Sequence, residues 1–193
     1  MIRAIIYDCF GVLTGDTWKE FTATLGDNVK SDVRNAHGAY DRGLISYEEF
    51  REQASEITGA EPEVFDQIFI HRTGRHKNTI LLAHIKELKS TYKLGILSNV
   101  GTAWIREEFL TAEEQALFDD MVLSFEVGKS KPDPAIYELA CQRLDVEPSE
   151  AVFVDDLVPY CQAAEAVGMK TVQYQDFAQY RAAIDLVLAD ANK

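Results

Sequence analysis

Short strand-like runs punctuate this chain at 3–7, 93–97, 121–124, 151–154 and 170–173, most of them with hydrophobic residues at successive rather than alternating positions. That pattern predicts strands covered on both faces. Between the later runs, apolar residues recur three and four apart over 79–90, 134–144 and 160–167, which predicts amphipathic helices. The alternation implies an α/β fold, a Rossmann-like parallel sheet with helices on both faces. Its ligand site is expected beyond the carboxyl ends of the strands.

One interval breaks the rhythm. From 15 to 78 no strand pattern occurs, and 17–25, 29–40, 46–58 and 62–70 read as short helices. In "ISYEEF", Ser46 stands three residues ahead of Glu49, the spacing of a capping box. The reading is an α/β core of 1–14 and 79–193, with a helical cap, 15–78, inserted after the first strand. Such an insertion leaves and rejoins the sheet above the expected site, where a lid belongs.

Composition narrows the function. A 193-residue chain that is 47% hydrophobic and 26% charged suits one core domain with a modest insertion. The net charge of −13 argues against nucleic acid, whose phosphates need clustered Lys and Arg. A small anionic substrate remains compatible, since a local cluster or metal ion can reverse the field inside a cleft. The three cysteines lack a zinc spacing, no cleavable apolar segment opens the chain, and no run approaches membrane-spanning length. A reduced, cytoplasmic location is expected, with no membrane partner. Cys9 reads as a small packing residue.

Candidate chemistry gathers where strands end. Asp8 follows the first run, Ser98 and Asn99 end "GILSNV", Lys129 and Lys131 lie in "GKSKPDP", and Asp155 and Asp156 end "VFVDD". Any one of these is an ordinary turn or cap residue. In a parallel sheet, however, all of them converge on one edge. Crowded carboxylates repel unless a cation joins them, and oxygen ligands in a partly open site suit Mg²⁺. A lysine and hydroxyl or amide donors can then hold phosphate oxygens, and a carboxylate such as Asp8 can act as nucleophile.

With "IIYDCFGVLT", "GILSNV", "GKSKPDPAIYELA" and "VFVDDLVPYCQAAEAVGMKTVQY" in this order, the chain resembles the haloacid dehalogenase-like hydrolase superfamily over nearly its whole length. Within it the likeness is greatest to small sugar-phosphate phosphatases with a C1-type helical cap, whose helical turn "YDRGLISYEEF" matches. The resemblance implies Asp8 as nucleophile and magnesium ligand, Lys131 as its neutralising partner, and Ser98 and Asn99 as phosphoryl ligands. It further implies Asp155, Asp156 and the main-chain carbonyl of Phe10 as metal ligands, Asp155 first among the acids. Arg42 and Gly43 of the cap turn would lie near substrate. The implied partner is a small phosphorylated metabolite.

Two positions depart from the family pattern. Where its phosphatases commonly carry an aspartate that protonates the leaving group, this chain has Phe10; loss of a positioned acid–base usually costs about 10²–10⁴ in rate. Tyr160 stands where asparagine or aspartate is frequent. Three readings of Phe10 compete. A phosphatase acting on a sugar 1-phosphate needs little acid help, because an anomeric oxygen leaves as a weak base. A metal-independent 2-haloacid dehalogenase carries an aromatic residue here, but lacks the acidic pair that stands as Asp155–Asp156. A catalytically silent binding or regulatory protein would keep the fold alone. The basic segment "HRTGRHKN", with His71, Arg72, Arg75, His76 and Lys77, reads either as a solvated linker or as a phosphate-steering patch. Trp18 and Phe21 are expected to pack the cap.

Overall fold

In the computed structural model, which describes residues 1–71 and 76–190, five parallel strands form one sheet of order β3-β2-β1-β4-β5. The most apolar strand, β1 (Ala4–Tyr7), is central. Its neighbours are β2 (Lys93–Ser98) and β4 (Ala151–Asp155), with β3 (Asp120–Leu123) and β5 (Lys170–Gln173) at the edges. Register then fixes what meets at the carboxyl edge. Tyr7 stands opposite both Ile96 and Val154, and the Asp8 N–H donates to the Val154 carbonyl at 2.9 Å. Asp8 and Asp155 therefore leave adjacent strands at the same level.

Among the described residues, five helices separate β1 from β2. Four form the insertion: α1 (Thr17–Ala23), α2 (Asp27–Asp41), α3 (Tyr47–Thr58) and α4 (Pro62–Phe69). The capping box of α3 is made, with Ser46 Oγ accepting from the Glu49 N–H and Glu49 accepting from the Ser46 N–H. These helices bury a core of their own, in which Phe50, Phe65 and Phe69 pack with Val33 and the half-buried Trp18 and Phe21. The fifth, α5 (Thr79–Leu88), packs Leu81 and Ile85 on the sheet instead.

After β2 come α6 (Ala112–Gln115), α7 (Ser124–Val127), α8 (Pro134–Arg143), α9 (Val158–Ala166) and α10 (Phe177–Asp190). Strand alternation divides the core. Ile5, Tyr7, Ile96 and Val154 face Leu81, Ile85, Tyr180 and Ile184, while Ala4, Ile6, Leu97 and Phe153 face Ile136, Tyr137, Ala140 and Ala164. Each such large aliphatic side chain removed from water contributes about 1.5–3 kcal/mol. One buried polar chain crosses the first face: the Tyr7 and Tyr180 hydroxyls lie 2.8 Å apart, and His84 Nδ1 lies 3.2 Å from the latter.

Periodicity misplaces some boundaries. Ser124 reads as the last residue of the third strand, yet it opens α7, because its buried hydroxyl accepts from the Val100 N–H at 2.8 Å and donates to the Asp41 carbonyl at 2.5 Å. The helix expected from 160 begins at Val158, since Pro159 suits a first turn that lacks the need for its N–H. The sequence reading names no element over 100–120 or beyond 173, where a π-helical turn at Ile105–Phe109, α6 and α10 occur. No helix among the described residues is long and apolar enough to cross a membrane.

Candidate active site

Asp8, Asp155 and Asp156 each place a carboxylate oxygen within 4.8 Å of the other two. Lys131, delivered by the loop between α7 and α8, sits buried among them. Its Nζ lies 2.9 Å from Asp8 Oδ1 and 2.7 Å from Asp155 Oδ2, over the rings of Phe153 and Tyr160 at 5.3 and 5.0 Å. Burial pushes the Asp8 pKa well above the ordinary carboxylate value; Lys131 opposes the shift, and Asp155 and Asp156 add to it. For Lys131, burial favours the neutral amine, but Asp155 and Asp8 outweigh it and hold the ammonium charged.

The donor set fits a divalent cation. Asp155 is committed through both oxygens, to Lys131 and to the Leu157 N–H at 2.8 Å. Asp8 Oδ1 accepts from the Cys9 N–H at 2.6 Å as well as facing Lys131. Asp156 differs: Oδ2 meets Lys19 of α1 at 2.5 Å, while Oδ1 is buried with no hydrogen-bond partner among the described residues. An orphaned anionic oxygen beside two further carboxylates is where a hard cation with oxygen ligands gains most. Gly11 leaves room for this carboxylate. A Cβ there would fall 2.4 Å from Asp156 Cγ, and the residue's φ of +84° favours glycine besides.

Around this centre the other sequence-derived candidates have distinct places. Phe10 lines the cleft and stacks on Trp104 with ring centroids 5.9 Å apart. Ser98 is fully buried, its Oγ without a hydrogen-bond partner among the described residues. Asn99 lines the cleft, but its amide clamps the lysine loop, accepting from the Lys131 N–H at 2.8 Å and donating to the Lys131 carbonyl at 2.9 Å. Tyr160 lies beside it, its hydroxyl 3.4 Å from Asn99 Nδ2. Lys129 is exposed and lines a different surface pocket. Cys9 is buried in the core, as a packing residue should be.

The insertion roofs a cleft of about 710 Å³ over these groups. Arg42 lines it, whereas Gly43 (φ +67°) abuts the backbone of Phe125 in the core. Trp18 serves twice, lining the cleft and packing against Phe21, His37, Phe50 and Phe69. Lys77 of the basic segment turns away to Glu114 at 2.5 Å, and His76 offers its carbonyl to the Thr14 hydroxyl; Arg72 and Arg75 lie outside the described residues. Sequence reasoning missed the cations that α1 and α2 supply to the cleft, Lys19, Lys30 and Arg34. The signal that could have found them is the helical spacing of Lys30, Arg34 and Arg42.

Known proteins resemble the chain in sequence and in fold. The sequence profile of the haloacid dehalogenase-like hydrolases matches residues 2–168. A D-ribitol-5-phosphate phosphatase of Bacteroides thetaiotaomicron is 26% identical over 97% of this chain and 99% of its own. Among solved structures, a HAD-like family hydrolase from Porphyromonas gingivalis superposes with a TM-score of 0.73 at 25% identity, covering 97% of this chain and 98% of that one. A HAD family enzyme from B. thetaiotaomicron, solved with magnesium and inorganic phosphate, shares the fold with a TM-score of 0.67 at 22% identity, over 91% and 95% of the two chains. With its parallel sheet of order 3-2-1-4-5, its helical insertion after the first strand and its profile match across most of its length, this chain belongs to the haloacid dehalogenase-like hydrolases.

Proposed function

We propose that the chain is a Mg²⁺-dependent phosphatase hydrolysing a small phosphomonoester through Asp8. The observation that carries this is the cluster of three carboxylates, two of them paired with the buried Lys131 ammonium, with Asp156 Oδ1 left without a hydrogen-bond partner among the described residues. The relative named for D-ribitol 5-phosphate supports a phosphorylated sugar or polyol as the class of substrate. Residues that would hold Mg²⁺ are Asp8, Asp155, Asp156 and the carbonyl of Phe10. When bound, the ion neutralises charge on the phosphoryl oxygens.

The chain's own groups do the rest. Lys131 and the Cys9 N–H fix Asp8 Oδ1 and orient the carboxylate toward the cleft. An Asp8 oxygen bonds to phosphorus as the ester P–O bond breaks, the electron pair leaving with the alcohol oxygen. Phe10 offers no proton, so solvent supplies one, and an anomeric leaving oxygen, being a weak base, suffers least. Water then attacks phosphorus, giving up a proton to solvent, as the Asp8 O–P bond breaks and its electron pair returns to Asp8 as a carboxylate, and inorganic phosphate departs. Residues 15–78 act as the lid, with Arg42 close to the substrate and Ser98 and Asn99 at the phosphoryl end.

The test is a panel of phosphomonoesters and 2-haloacids, each assayed with Mg²⁺ and with EDTA. Phosphate release that EDTA abolishes is the expected result. Halide release insensitive to EDTA would establish a dehalogenase instead, and no release of either a catalytically silent protein.

A further inference from the structure

The cleft is lined by five cations, Lys19, Lys30, Arg34, Arg42 and Lys131, against the carboxylates of Asp8, Asp16 and Asp41. With Asp155 and Asp156 beside Asp8, the site sets five cations against five carboxylates, whereas in the whole chain 32 acidic residues outnumber 19 basic ones. Two of the five are accounted for: Lys131 holds Asp8 and Asp155, and Lys19 holds Asp156. Lys30, Arg34 and Arg42 form no ion pair among the described residues.

The acids facing them are already engaged. Asp16 caps α1, accepting from the Lys19 N–H at 3.0 Å. Asp41 lies 3.5 Å from His37 Nδ1, one turn back on α2. Lys30 and Arg34 are four residues apart, neighbours on one face of α2 that also turns His37, Gly38 and Asp41 to the cleft. Like charges at that spacing cost the helix stability rather than adding to it. No ion pair among the described residues offsets the repulsion, and an anion bound in the cleft would.

Resting on the phosphatase reading above, we propose that Lys30 and Arg34 form a second anion-binding subsite. The substrate is then a phosphomonoester that carries another anionic group, a carboxylate or a second phosphate, remote from the transferred phosphoryl. The subsite selects against neutral polyol phosphates, because only the doubly anionic ester neutralises the paired charges on α2. A partly exposed ion pair of this kind weakens with added salt.

Binding separates this claim from turnover. Isothermal titration of the Asp8→Asn protein with Mg²⁺ would compare glycerol 3-phosphate with 3-phosphoglycerate, and fructose 1-phosphate with fructose 1,6-bisphosphate. At least one ester with a second anionic group should bind about tenfold more tightly than its counterpart without it, and which pair shows the preference tells a carboxylate from a phosphate. Replacing both Lys30→Ala and Arg34→Ala should shrink the difference to within about twofold, as should raising the salt severalfold. Equal binding within both pairs, no binding of any ester, or a preference that survives the double substitution would overturn the subsite. If the preference is present but wild-type protein releases phosphate from no ester, the phosphatase reading fails and the subsite stands.

Discussion

At position 10 the side chain that would carry a proton is a phenyl ring stacked on Trp104, 5.9 Å between centroids. Phe10→Asp should therefore raise the rate on ordinary alkyl phosphates by up to about 10²-fold and on sugar 1-phosphates by less, because alkoxides need the acid more. Losing the stack should lower the melting temperature by a few degrees, about 1 kcal/mol. Initial rates on the two ester classes check this; no gain on alkyl phosphates would refute acid limitation. Gly11→Ala should displace Asp156, whose Cγ lies 2.4 Å from the new methyl group, and weaken Mg²⁺ activation about tenfold or more. A Mg²⁺ titration of phosphate release measures it, and an unchanged midpoint would argue that Asp156 holds no metal. The acids were legible in sequence because apolar runs end at them. The Lys19–Asp156 contact was not, since it joins residues 137 apart across an interface that periodicity does not describe.

Between elements, small residues let the insertion approach the core closely. Gly101 lets the Tyr40 ring approach to within 2.4 Å of where a Cβ would stand, Gly43 abuts the Phe125 backbone, and Ser124 Oγ donates to the Asp41 carbonyl. Gly101→Ala should push α2 off the core and lower kcat/KM about tenfold, through misplacement of the roof rather than loss of the catalytic groups. Steady-state kinetics alongside circular dichroism tests it; full activity would mean that the cleft tolerates a shifted cap. The five strands and the helices of the insertion followed from spacing, as α3 with its Ser46–Glu49 box shows, whereas α6 and α10 did not. The displaced boundary at Ser124 has a tertiary cause, a hydroxyl bridging the loop after β2 and the cap, which a local pattern of hydrophobicity does not encode.

Across the whole molecule, pH should act through a group that does not line the cleft. His84 is buried beneath α10 with Tyr180, and burial, then Arg181, lowers its pKa below the ordinary value of about 6.5. The unfolded chain thus takes up a proton before the folded one does. Stability from this site is present above about pH 6.5 and is lost as pH falls from there through the folded pKa. Melting temperature measured from pH 7.5 to 5.5 should show that decline, and His84→Gln should flatten it; an identical slope in both proteins would exclude His84 as the cause. The overall charge of −13 coexists with a cation-lined cleft only because folding gathers Lys19, Lys30, Arg34, Arg42 and Lys131 from two cap helices, a cap turn and a core loop.

All of this turns on Asp8 attacking phosphorus. Phosphate release by wild type and Asp8→Asn, side by side with Mg²⁺ on the best ester of the panel, tests it most directly. The expected outcome is a loss of about 10³-fold or more in the variant, with an unchanged circular dichroism spectrum. Release by a folded Asp8→Asn protein at the wild-type rate would contradict it.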